Sequence, residues 1–261
     1  MNKWKRLIFV GVLTTSLMLL FFVYSAQADN LVQSIMETRL VLGFRVGQEE
    51  LKKLLPASWQ VNPAPGGPMK DANLFLVLID PLLFVDAEGK PDAAAFNRYV
   101  VFSVPAKNMQ TGEIATVIIT GGVASPTSNV PGPYKTNVMG TIKREQTYKG
   151  ANTEIGIVDD VWEVRDTQGG SMEVRIQYER ALPVRTKQEQ KLYSSIEPTF
   201  YRIYRQEYAV DLVKSIPVGV DRIKNYRFNV AMPKVKNLFD GSEQLLGVVA
   251  YPVFLRQIFL P

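Results

Sequence analysis

Lys143 and Arg144 stand side by side in the stretch Gly140-Thr141-Ile142-Lys143-Arg144-Glu145. A second cation beside a lysine disfavours its protonated form, and partial burial acts in the same direction. Such an amine can be neutral and nucleophilic near neutral pH. It can then attack a ketone to give an imine. This chemistry needs neither imidazole nor thiol, and the 261 residues contain no histidine and no cysteine. Ser-His-Asp and Cys-His nucleophiles, zinc sites built from nitrogen and sulfur ligands, and disulfides are therefore excluded. The plain alternative is that Lys143 and Arg144 are two solvated residues of a loop, the ordinary fate of surface lysine and arginine.

The surrounding segment, Ser125 to Gly150, is basic and rich in Gly, Pro, Ser and Asn, and reads as a loop. It also holds Pro131-Gly132-Pro133-Tyr134-Lys135, which makes Tyr134 a candidate ligand contact. Arg39 and Arg45, on the first strand, are candidates to hold a substrate carboxylate by paired hydrogen bonds. Asp159-Asp160 with Glu163 could form a carboxylate pair or a hard-cation site. No spaced loop of oxygen ligands surrounds them, so a strand edge in water is the simpler account and no metal is expected. Tyr201, Arg202, Tyr204 and Arg205 interleave aromatic and basic residues, as a stacking platform for nucleic acid would. Gly121-Gly122 lacks the spacing of a phosphate cradle.

The elements that must position these residues are mostly strands. Leu74–Ile79, Tyr99–Val104 and Ile114–Ile119 are unbroken apolar runs, the pattern of strands buried on both faces. Met172, Val174, Ile176 and Tyr178 alternate with polar residues, and Gln168-Gly169-Gly170 turns back to Val161–Arg165 as a hairpin. Tyr226, Phe228 and Val230 repeat the alternation, and Leu245–Leu260 reads as a closing strand bent at Pro252. Phe200–Val210 fits strand and helix periods equally well. A short helix is expected over Gln48–Leu55, ended by Pro56. The fold class is therefore mainly β (α+β): a large antiparallel sheet or closed barrel with a few short helices, over residues 29–261 as one domain.

Residues 1–28 read as a targeting segment. Lys3, Lys5 and Arg6 precede an apolar run from Leu7 to Tyr24, and Ser25-Ala26-Gln27-Ala28 offers a peptidase its small residues. The apolar run is also about long enough to span a bilayer, so an uncleaved anchor is the alternative. Export, to the periplasm or beyond the cell, follows from either. Without these residues the chain carries 27 basic against 25 acidic residues, a balance that argues against nucleic acid as a partner.

The sequence resembles the acetoacetate decarboxylase-like superfamily. Val46–Leu55, ending Leu54-Leu55-Pro56, is similar to that family's early helix, and the succession of strands is similar in order. Gly140-Thr141-Ile142-Lys143-Arg144 resembles the family's Gly-x-Pro-Lys-Lys segment, with Ile142 in place of the proline and Arg144 in place of the second lysine. The resemblance implies a β-rich barrel around an interior pocket, Lys143 as the Schiff-base amine and Arg144 as the charge that lowers its pKa. Glu145, Glu154 and Asp159 are candidates for the family's acidic residues by proximity in sequence. Two functions follow as expectations: an exported Schiff-base decarboxylase of a small keto acid, or a non-catalytic exported protein binding a carbonyl or apolar ligand in the same pocket. Neither needs a cofactor, and either is compatible with a homo-oligomer.

Overall fold

On β3 (Leu74–Asp86), Leu74, Leu76 and Leu78 face one hydrophobic core, while Val77 and Ile79 face another. β4 (Tyr99–Asn108) divides in the same way, with Val100, Phe102 and Val104 on one side and Tyr99 and Val101 on the other. Successive side chains of a strand point to opposite faces, so a strand between two cores must be apolar at every position. This is the physical meaning of the unbroken apolar runs.

The structure is a computed structural model describing residues 29–91, 97–124, 132–150 and 156–261. Leu31–Pro261 forms one compact unit. Its remaining strands are β1 (Asn30–Arg45), β2 (Trp59–Val61), β5 (Ile114–Val123), β6 (Asn137–Lys149), β7 (Ile157–Asp166) and β8 (Ser171–Glu179). They are followed by β9 (Val184–Ser194), β10 (Tyr201–Ser215), β11 (Val220–Asp221), β12 (Ile223–Val230) and β13 (Gln244–Leu260). The pairing order is β12-β8-β7-β6-β5-β9-β10-β13-β1-β3-β4-β2, and β4 also pairs with β5. That extra pairing closes β5, β9, β10, β13, β1, β3 and β4 into a ring of seven strands. The larger core lies between the ring and the antiparallel group β6-β7-β8-β12, and contains Trp162, Val174, Phe44 and Phe102. The smaller core is the inside of the ring.

Three local expectations are corrected. The sheet is mixed, because β5 runs parallel to both β6 and β9. Parallel neighbours need a crossover, and the connection from β5 to β6 returns through a 3-10 helix at Gly132–Thr136. Residues 137–149 are therefore a strand and not a loop: ten residues of β6, Gly140 to Lys149, pair with β7. The early helix, α1, spans only Gln48–Lys52. It continues as tighter turn bonds from the Leu54 amide to Leu51 and the Leu55 amide to Lys52, as expected when a following proline disfavours helical geometry at the residue before it. The ambiguous stretch after Phe200 is strand, β10, held on both sides by β9 and β13.

The cores enclose several phenols. Burial pushes the Tyr178, Tyr226 and Tyr251 hydroxyls above the ordinary tyrosine range, and Tyr204 behaves likewise. A raised folded-state pKa contributes stability that is fully present below the unfolded value, about 10, and is lost as pH rises through the folded value. Absorbance at the phenolate band should therefore rise in two stages on alkaline titration. The exposed tyrosines titrate first, and the buried ones appear only together with loss of the far-ultraviolet strand signal. Smooth titration of every tyrosine in the folded protein would contradict this packing.

Candidate functional site

Because Lys143 and Arg144 are neighbours on a strand, they cannot share a pocket: their side chains leave opposite faces of β6. Lys143 and Glu145 are exposed. Arg144 turns inward, with its side chain 6% exposed, and donates to both Asp160 oxygens at 3.0 and 2.8 Å. It also donates to Asp80 on β3 at 3.0 Å and to the Thr38 hydroxyl on β1, and its guanidinium lies 4.8 Å from the Trp162 ring. Burial disfavours its charge, but the Asp160 and Asp80 carboxylates outweigh burial and hold its pKa above the ordinary arginine value. Arg144 thus clamps the outer group of strands to the ring, facing away from Lys143. Asp160 accepts a further bond from Gln146 at 2.8 Å, so Asp160 is committed to this clamp.

Of the other sequence candidates, Arg45 is half exposed and pairs with Asp71 at 3.2 Å. Asp159 is half-buried on β7, and Glu154 lies outside the described residues. Arg39 and Tyr134 do meet a common cavity. This cavity, of about 240 Å³, lies inside the ring and is lined by β1, β3, β4, β5, β9, β10 and β13. Arg39 sits over Phe254, its guanidinium carbon 3.7 Å from the ring centroid, and pairs with Glu37. Glu37 bridges onward to Arg256 at 3.0 Å, and Arg256 donates to the Tyr134 hydroxyl at 2.7 Å. Glu37 and Arg256 are 1% and 3% exposed.

Two arginines thus share one carboxylate at the polar end of the cavity, leaving one positive charge over. Burial opposes the charge on Arg256, but Glu37 together with the Tyr134 and Tyr204 phenol groups outweighs burial and keeps it firmly protonated. Tyr134 accepts from Arg256 and also lies against the buried Tyr204 hydroxyl, and its O–H remains able to donate. Gln206 holds the Gln188 amide through its oxygen at 3.1 Å, while its nitrogen and Arg256 Nε have no partner among the described residues, though both residues are at least 95% buried. The surplus charge of this network, with Arg39 and Gln206 on the cavity wall, suits an anionic ligand with several acceptor oxygens. Among the described residues neither a lysine nor an acid lines this cavity. Lys135, next to Tyr134, points outward and pairs with Glu197 at 2.9 Å. Among the described residues no group of three or more acidic side chains is placed to hold a metal ion.

Sequence reading missed Glu37, Arg256, Gln188 and Gln206. A signal was present: Arg256 falls between Phe254 and Ile258, and Glu37 two residues after Ile35, on faces that period two marks as buried. A charge on an apolar register is a buried charge, and buried charges find partners.

No family model matches the sequence, and no curated protein matches it significantly. Solved structures do match. The enduracididine biosynthesis enzyme MppR complexed with pyruvate aligns with a TM-score of 0.53 and 10% identity, over 90% of this chain and 91% of that one. An acetoacetate decarboxylase-like enzyme from Sphingomonas wittichii RW1 aligns with a TM-score of 0.53 and 13% identity, over 91% of this chain and 96% of that one. The enduracididine enzyme complexed with the condensation product of pyruvate and imidazole 4-carboxaldehyde aligns at 0.50, with 9% identity and 90% of each chain covered.

Proposed function

We propose that this chain, which has the acetoacetate decarboxylase-like fold in a sequence-divergent form, binds a small carboxylic acid inside its ring and forms no Schiff base with it. The observation that carries the reading is a cavity lined by Arg39 and Tyr134, backed by Arg256, with no lysine among the described residues of its wall. Arg39 would hold the carboxylate, and the Tyr134 hydroxyl would donate to a neighbouring carbonyl oxygen. One structure of this fold carries pyruvate, a keto acid of that kind. The protein would be exported, with residues 1–28 as the leader.

The test separates this reading from the lysine-based one. The purified chain is titrated calorimetrically with pyruvate and its longer 2-oxo homologues, then treated with borohydride and mapped by peptide mass spectrometry. Binding without an adduct on any lysine is expected. Arg39→Ala should weaken binding about tenfold to a hundredfold, the value of a hydrogen bond to a charged group. A reduced adduct on Lys143 would overturn the reading and restore a Schiff-base enzyme.

A further inference from the structure

The ring cavity has one polar end, and a single flexible side chain, Met69, stands at the opposite end. Glu37, Arg39 and Arg256 mark the polar end, beyond which Ile35, Phe84 and Ile258 fill the ring. Moving the other way along β1, Arg39 is followed on the inner face by Val41 and then Gly43, about 13 Å away at roughly 3.3 Å per residue. Val77 and Phe75 of β3 lie opposite Val41 and Gly43 and continue this apolar wall. At that level Met69 enters from the surface segment Asn62–Asp71. Its sulfur sits over two backbones at once: a Cβ added at Gly43 or at Gly247 of β13 would lie 2.6 Å from it. The two glycines cut a notch that only a residue lacking a side chain could leave open. The Ser215 hydroxyl holds the segment down by donating to the Pro68 carbonyl at 2.8 Å. Pro68 and Lys70 on either side are exposed, while Met69 is half-buried and lines the cavity.

We infer that Met69 is the specificity-determining residue of the cavity: it stands at the end away from Arg39 and sets the length of tail that a bound carboxylic acid can carry. The inference rests on the carboxylate-binding reading given above. A volume of about 240 Å³ has room for about eight water-sized groups at ~30 Å³ each. A straight-chain 2-oxo acid of about five carbons, with its carboxylate at Arg39, fills that space, and a longer tail meets the methionine. Methionine is unbranched and adaptable, so this end-stop discriminates by graded loss of affinity and not by absolute exclusion.

The experiment measures calorimetric affinities of the full chain for pyruvate, 2-oxobutanoate, 2-oxopentanoate, 2-oxohexanoate and 2-oxooctanoate. Wild type should bind best in the middle of the series and lose affinity at 2-oxooctanoate. Met69→Ala, which opens the channel, should move the optimum to longer acids and tighten 2-oxooctanoate about tenfold, as expected for newly buried methylenes. Met69→Leu, which keeps the length, should retain the wild-type optimum. Thermal melts check that each variant is folded, and a half-buried surface residue leaves the cores intact. If wild type binds the series and Met69→Ala leaves the optimum in place, this inference falls and the carboxylate site stands. If wild type binds none of these acids, the carboxylate reading falls first and this inference with it.

Discussion

Glu37→Leu is expected to destabilise the protein by about 3–5 kcal/mol, the range for stranding a buried charge. The residue is 1% exposed and is the counter-ion of both Arg39 and Arg256. Leucine is close to it in volume, so the loss reflects charge and not a cavity. Arg256 bears most of the cost, because it is 3% exposed and its other recorded side-chain hydrogen bond goes to the neutral Tyr134 hydroxyl. Arg39 keeps its stacking on Phe254 and its access to the cavity. Against a total stability of about 5–15 kcal/mol, the change is large. Equilibrium urea unfolding measures it, and the double variant Glu37→Leu with Arg256→Met supplies the control. Removing both charges should recover stability relative to Glu37→Leu alone, since an apolar replacement of a buried pair is often neutral or better. A double variant less stable than the single one would show that the network is not held by the pairing of these charges.

Arg144→Met should cost a comparable amount, about 3 kcal/mol, for the mirror-image reason. Asp160 is 1% exposed and takes two of its bonds from Arg144, so removing the guanidinium leaves a buried carboxylate with Gln146 as its one side-chain donor among the described residues. Asp80 is partly covered and retains Arg98 at 2.7 Å, which limits its share of the loss. The change also releases a link between β6, β7, β3 and β1, so amide exchange should rise on β6 and β7 before it rises in the ring. Lys143→Ala, one residue away on the exposed face, should leave both stability and exchange unchanged. Equal effects at the two positions would refute the assignment of opposite faces.

These two expectations show where the sequence was sufficient. Composition alone excluded imidazole and thiol chemistry, because it depends on atoms the chain does not have. Periodicity located most of the strands, since alternation is a property of the backbone pleat, and it marked Leu74–Ile79 and Tyr99–Val104 as covered on both sides. The resemblance carried by Leu54-Leu55-Pro56 and the strand order led to the right fold. The same resemblance placed the chemistry at Lys143, and there the reading of a basic, glycine-rich stretch as loop was misleading. In a loop two adjacent cations can converge, whereas on a strand they diverge, and β6 is a strand because β7 supplies its partners.

What the chain determined by itself was therefore its strands, its two-sided burial and its lack of any imidazole or thiol. Which charges meet was decided only by closure of the ring. Glu37 and Arg256 are separated by most of the chain and become neighbours because antiparallel β1 and β13 lie side by side. Met69 reaches the cavity only because two glycines from those same strands leave a gap there. Pairing energies between such distant residues depend on register and sheet closure, and neither is written in any local stretch of sequence.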